Sequence, residues 1–221
     1  MIVLLGGEKG GSGKSCLAQN LAVWLQRAGR DVLVLDADPQ GTTADWAKER
    51  VQVGVLPPLP VVQDHGNIRQ TLLDLQKRYE DIIVDAGGAD SEALRSAMTV
   101  ATHMLIPFRP KRRDLKTLPK VEALVRLAKA SNSQLIVRAV ITQAPALPSQ
   151  GQRILDSKEA CTSFGIQALQ AFTTARNVYD DADEDGSSVL ETGTDSKAIE
   201  EIDLIAKELF AEAVRWLDSK G

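Results

Sequence analysis

Hydrophobic positions along the chain fall into two alternating patterns. Short, nearly continuous apolar runs occupy residues 2–5, 32–35, 59–62, 81–84, 103–107, 135–141 and 166–172. Runs without polar alternation predict strands covered on both faces. Between them, apolar residues recur at helical spacing. Leu17, Leu21, Trp24 and Leu25 form one stripe, ended by Gly29 as a C-cap. Leu115, Leu118, Val121, Leu124, Val125 and Ala128 form a second, and Ile202, Ile205, Leu209, Ala213 and Trp216 a third within residues 197–217. The acidic stretch 180–185 and the Pro-containing stretch 144–149 read as loops. Strand–helix alternation throughout predicts an α/β, doubly wound, mostly parallel sheet with helices on both faces. The 221 residues suit a single domain, 1–221, with a full hydrophobic core.

Composition narrows the class. With 43% hydrophobic and 25% charged residues, the chain has the make-up of a soluble globular protein. Apolar runs fall short of the ~20 residues that span a bilayer, and the first residues carry neither the basic start nor the cleavage site of a signal peptide. Two cysteines and two histidines, well separated, make neither a metal cluster nor a disulfide framework. A reducing cytoplasm is the expected setting. The net charge of −4 does not advertise a nucleic-acid binder, so any such contact must come from a local patch.

The first strand runs into Lys9-Gly10-Gly11-Ser12-Gly13-Lys14-Ser15, with a helix following at once. Glycines let successive backbone N–H groups converge on one phosphate, and the helix N-terminus adds partial positive charge. Lys14 is placed to reach β- and γ-phosphates, and the Ser15 hydroxyl to ligate Mg²⁺. The ordinary P-loop pattern has glycine where Glu8 stands. Two acidic segments accompany the loop. Asp36-Ala37-Asp38-Pro39-Gln40 follows the second strand, at the rim where α/β sheets bind ligands. There Asp36 either supports a metal or caps the helix that starts near Thr42. The run Asp81-Ile82-Ile83-Val84-Asp85-Ala86-Gly87-Gly88 is apolar and ends in an acid, which places Asp85 near Mg²⁺.

Lysine before the paired glycines makes this loop similar to the deviant Walker A motif of the ParA/MinD family. Together with Asp38-Pro39-Gln40, and with residues 105–110, 176–179 and 188–191, it makes the chain most like the small plasmid-partition ParA (ParF-type) proteins. The resemblance implies an Mg²⁺-dependent ATPase that forms an ATP-sandwich homodimer, binds DNA without sequence preference and segregates cargo with a ParB-like partner. It implies a cytoplasmic, nucleoid-associated protein. Lys9 would reach the partner's ATP, and Gly10, Gly11, Ser12, Gly13, Lys14 and Ser15 would cradle the phosphates. Asp38 would orient the attacking water, and Asp36 and Asp85 would support the metal. Cys16 stands where relatives carry a second hydroxyl, and Thr142 and Gln143 would border the adenine. DNA would meet Lys111, Arg112 and Arg113, part of a cluster with Arg109 and Lys116, or Arg176. The basic cluster reads equally as a solvated loop and helix start, and Arg176 as a core-edge or dimer-contact residue. A small biosynthetic P-loop ATPase of the dethiobiotin-synthetase type is an alternative. A MinD-like membrane role is disfavoured, because residues 197–220 carry four basic and six acidic side chains. No membrane partner is therefore expected.

Overall fold

The computed structural model describes residues 1–8, 10–87 and 91–211. Lys9 and Gly88 lie outside them, as do Ala213 and Trp216 of the third helical stripe. Seven strands, β1 (Ile2–Leu5), β2 (Val32–Asp36), β3 (Val61–Gln63), β4 (Asp81–Asp85), β5 (His103–Phe108), β6 (Ile136–Ala144) and β7 (Ala168–Thr174), form one sheet in the order β3-β2-β4-β1-β5-β6-β7. Each described strand pair is parallel. All seven expected runs are therefore strands. The order reverses around β1, which lies between β4 and β5, and such a switch point opens a crevice at the strands' carboxyl ends.

Ten helices surround the sheet among the described residues: α1 (Lys14–Arg27), α2 (Thr42–Val53), α3 (Arg69–Leu75), α4 (Glu92–Met98), α5 (Arg112–Leu115), α6 (Leu118–Ser131), α7 (Gly151–Ser163), α8 (Asn177–Glu184), α9 (Val189–Thr192) and α10 (Ser196–Leu209). Alternate residues of β1 sort the core into two layers. Ile2 and Leu4 join residues of α3, α4, α6 and α7, whereas Val3 and Leu5 join residues of α1, α2, α8, α9 and α10. This two-faced cover is why the central strands are largely apolar. Gly29 ends α1 as expected: its φ is +80°, and the N–H groups of Gly29 and Arg30 bond back to the carbonyls of Gln26 and Leu25.

Three sequence expectations are corrected. The stretch 180–185 is not a loop, because all but Asp185 belongs to α8. Ala182 is buried there, Val178 and Tyr179 pack on the core, and Asp180 sits in the first turn, where the helix dipole favours an acid. The second stripe is two helices, since Pro119 cannot donate into a preceding turn and instead opens α6. The third strand is shifted to Val61–Gln63; Leu59 is buried ahead of it, and Val62 is exposed on an edge strand that pairs only with β2.

Candidate functional site

The loop between β1 and α1 crosses the carboxyl end of the sheet beside the switch point. Gly11 and Gly13 have φ of +69° and +86°, a region that side chains rarely enter, and this turns the backbone over the start of α1. As N-cap, Gly13 offers no side-chain oxygen, which leaves the first-turn N–H groups of α1 for an anion. Residues from the end of β6 brace the loop. The Thr142 hydroxyl donates to the Ser12 carbonyl at 2.7 Å, and Gln143 Nε2 donates to the Gly11 carbonyl at 3.2 Å. Gln143 itself adopts φ +50°, an uncommon conformation for a non-glycine residue and one that marks functional sites.

Around this loop the charges converge. Lys14 is almost fully buried; desolvation lowers its pKa, against the pull of Asp85 and Asp38. Asp85, at the end of β4, is wholly buried. Its Oδ2 accepts from the Thr43 hydroxyl at 2.7 Å, while its Oδ1 finds no hydrogen-bond partner among the described residues. Burial pushes the carboxyl pKa up to about 6, although Thr43, Ser15 and Lys14 favour the ionised form. A buried, half-satisfied carboxylate beside a serine hydroxyl fits a magnesium ion shared with phosphate oxygens. Among the described residues no group of three or more acid, histidine or cysteine side chains could hold a metal alone, so those phosphate oxygens would be needed.

The two other acids differ in kind. Asp36 pairs with Asp85 in the β2–β4 register, but both of its oxygens accept backbone N–H groups, from Ala44 at 2.8 Å and Asp38 at 3.0 Å. It caps the first turn of α2, one of its two sequence readings. Asp38 Oδ1 accepts from Gln40 N–H at 3.0 Å, and a Cβ on Gly87 would lie 3.4 Å from the Asp38 carboxylate. The pair Asp38 and Gly87 thus face each other across the mouth of the site.

Two adjoining cavities form the crevice. One, of about 390 Å³, is lined by Gly10, Gly11, Gly13, Lys14, Ser15 and Asp38 among others. The next, of about 270 Å³, is lined by Cys16, Thr142, Gln143, Thr174, Arg176 and Tyr179 among others. All described loop residues of the motif, together with Thr142 and Gln143, therefore gather in one place. Burial raises the Cys16 thiol to about 12, which keeps it neutral. Tyr179, Asp180 and Asp183 also line the site; sequence reasoning missed the two acids because it took residues 180–185 for a loop, and it used Tyr179 only within the 176–179 resemblance. Thr43 was missed too; its only signal is its place one residue into the helix after Asp36.

The basic residues separate. Lys111, Arg112 and Arg113 are exposed at the start of α5. Arg109 turns inward instead, bonded through Nε and Nη2 to buried Asp114 at 2.7 and 3.1 Å and packed near Gly11. Arg176 pairs with Glu201 at 3.2 Å and Asp195 at 3.3 Å. Glu201 also accepts from Thr174 and from the Tyr179 hydroxyl, and so ties α10 to the wall of the smaller cavity. A wider groove of about 720 Å³ adjoins this cluster between β7 and α10 and shares Thr174 and Arg176 with the smaller cavity.

Residues 3–184 match the family model described as the CobQ/CobB/MinD/ParA nucleotide binding domain. The carboxysome distribution protein A of Halothiobacillus neapolitanus is 28% identical over 91% of this chain and 92% of its own length. Protein ParA of Rhizobium radiobacter is 24% identical over 98% of this chain and 99% of its own. A Cyanothece McdA–ATP complex superposes with a TM-score of 0.77 at 15% identity, covering 95% of this chain and 96% of that one, a likeness of fold.

Proposed function

The chain belongs to the CobQ/CobB/MinD/ParA nucleotide-binding family, and from that premise we propose that it is an Mg²⁺-dependent ATPase that positions cargo along DNA. The observation that carries the reading is the meeting of three features in one crevice: a helix N-terminus without a side-chain cap, buried Lys14, and an Asp85 oxygen with no hydrogen-bond partner among the described residues. Each is costly alone, and each is satisfied by a nucleotide triphosphate with its cation. Ser15 and Asp85 would hold the Mg²⁺, which when bound neutralises charge on the phosphate oxygens. Backbone N–H groups from Gly10 to Ser15 would cradle the phosphates, with Lys14 on the outermost. Asp38, at the mouth opposite Gly87, orients the attacking water. The base would lie toward Thr142, Gln143 and Tyr179.

Similarity over nearly the full length to a carboxysome-distribution protein and to ParA supports positioning over a biosynthetic activity. In this reading ATP joins two copies, with Lys9 crossing to the partner's nucleotide. The dimer binds DNA through Lys111, Arg112 and Arg113, and a cargo-bound ParB-like adaptor stimulates hydrolysis and releases it. The test measures ATP turnover and binding to a random-sequence duplex, with Mg²⁺ and ATP, ADP or no nucleotide, across a salt series. DNA binding that requires ATP and weakens steeply with salt supports the proposal. Turnover without DNA binding under any nucleotide would overturn the positioning role and favour the biosynthetic alternative.

A further inference from the structure

Thr43 has no side-chain surface in solvent, and its hydroxyl proton is committed to Asp85 Oδ2 at 2.7 Å. The geometry around that bond is specific. A carboxylate turns easily about its last torsion, so two equivalent oxygens compete for any cation unless one is held. Here one oxygen is held and the other, Oδ1, is left without a hydrogen-bond partner among the described residues, on a carboxyl whose ionised form Ser15 and Lys14 favour. The neighbouring strand acid differs, since each Asp36 oxygen already accepts a backbone N–H, from Ala44 and from Asp38. Its bond to Ala44 instead fixes the turn of α2 that carries Thr43. Two strand-terminal acids thus share one helix start: Asp36 anchors the turn, and the turn presents a hydroxyl to Asp85.

We propose that Thr43 is the positioning residue for the metal-binding acid, holding Asp85 Oδ2 so that Oδ1 faces the Mg²⁺ that arrives with ATP. The proposal rests on the Mg²⁺–ATP reading of the site and adds a residue to it. Because the hydroxyl acts through its bond to Asp85, its removal should weaken Mg²⁺ and leave metal-free nucleotide binding alone. Loss of such a supporting bond costs roughly 10–100-fold in metal affinity.

The test is calorimetric titration of ATP in EDTA, and a Mg²⁺ titration at fixed ATP, on wild type, Thr43→Val and Thr43→Ser. Thr43→Val keeps the shape and removes the donor. Its Mg²⁺ half-saturation should rise roughly 10-fold or more, with ATP affinity in EDTA unchanged, and Thr43→Ser should return to near the wild-type value. A Thr43→Val curve that overlays wild type, or a loss of ATP affinity that is the same in EDTA, would overturn the assignment. Thr43→Ala supplies the same comparison should the valine variant not fold. If wild-type ATP binding gains nothing from Mg²⁺, the metal reading itself falls and takes this proposal with it; a wild-type gain that Thr43→Val retains sinks the proposal alone.

Discussion

At Asp85 the fold keeps a carboxyl group out of water with one oxygen bonded and the other without a hydrogen-bond partner among the described residues. Its folded pKa of about 6 lies above the ordinary carboxylate value. Between that ordinary value and about 6, the folded chain therefore binds a proton that the unfolded chain has lost. The stability linked to this group is fully present at pH below about 4 and lost as pH rises through about 6. At neutral pH the deficit is on the order of 3 kcal/mol. Asparagine carries no charge to desolvate. Asp85→Asn should therefore raise the melting temperature of the nucleotide-free protein at pH 7 by several degrees, and the gain should vanish near pH 4. Thermal denaturation at the two pH values checks this; a variant that melts lower at both would refute it. If Asp85 serves the metal as proposed, the same substitution removes the charge that would bind it, so stability and function would oppose each other at one residue. Sequence could nominate Asp36 and Asp85 but not separate them. Both end apolar strands, and only the placement of α2 shows which oxygens are already spent.

Elements were legible where burial alone dictates the pattern. Strands covered on both faces are largely apolar, which made the sheet readable from sequence; edge strand β3, with Val62 and Gln63 exposed, was placed two residues early. Helix α8 was not, because half of its residues are acidic and Val178, Tyr179 and Ala182 are the ones that meet the core. The join between α2 and the α8–α9 region was equally hidden, since it depends on one long side chain. Arg50, 2% exposed, bonds Glu191 at 2.6 and 2.8 Å and stacks over Trp46. The backbone of Gly186 presses on it: a Cβ there would sit 2.2 Å from Arg50 N, at a φ of +62°. Gly54, by contrast, has φ +77° and nothing within 4 Å. Gly54→Ala carries only the left-handed penalty, about 1–2 kcal/mol. Gly186→Ala adds overpacking of a further ~1–3 kcal/mol. Urea denaturation of both variants should show the larger loss at Gly186, and equal losses would mean that α2 and the α8–α9 loop part without strain.

Across the whole molecule, the phosphate loop after β1 and the exposed cations after β5 leave the same end of the sheet from neighbouring strands. The net charge of −4 gives no general attraction for DNA, so binding must arise where cations gather and acids stay away. Arg109 and Arg176 are both matched by carboxylates. Lys111, Arg112 and Arg113 stand exposed together on one short element. Sequence put Arg109 in one cluster with Lys111, Arg112, Arg113 and Lys116, and offered Arg176 separately, because it sees charge spacing and not pairing, which is settled by side chains such as Asp114 and Glu201. Replacing Lys111, Arg112 and Arg113 together by alanine should flatten the dependence of DNA affinity on salt in the ATP state. Three lost phosphate contacts reduce the logarithmic slope by roughly 3, and six, were two copies to bind side by side, by roughly 5. Affinity for ATP without DNA serves as the control for an intact fold. A slope that stays at the wild-type value would move the DNA contact to another face, whereas a drop near the larger figure would place the three cations of both protomers on one duplex.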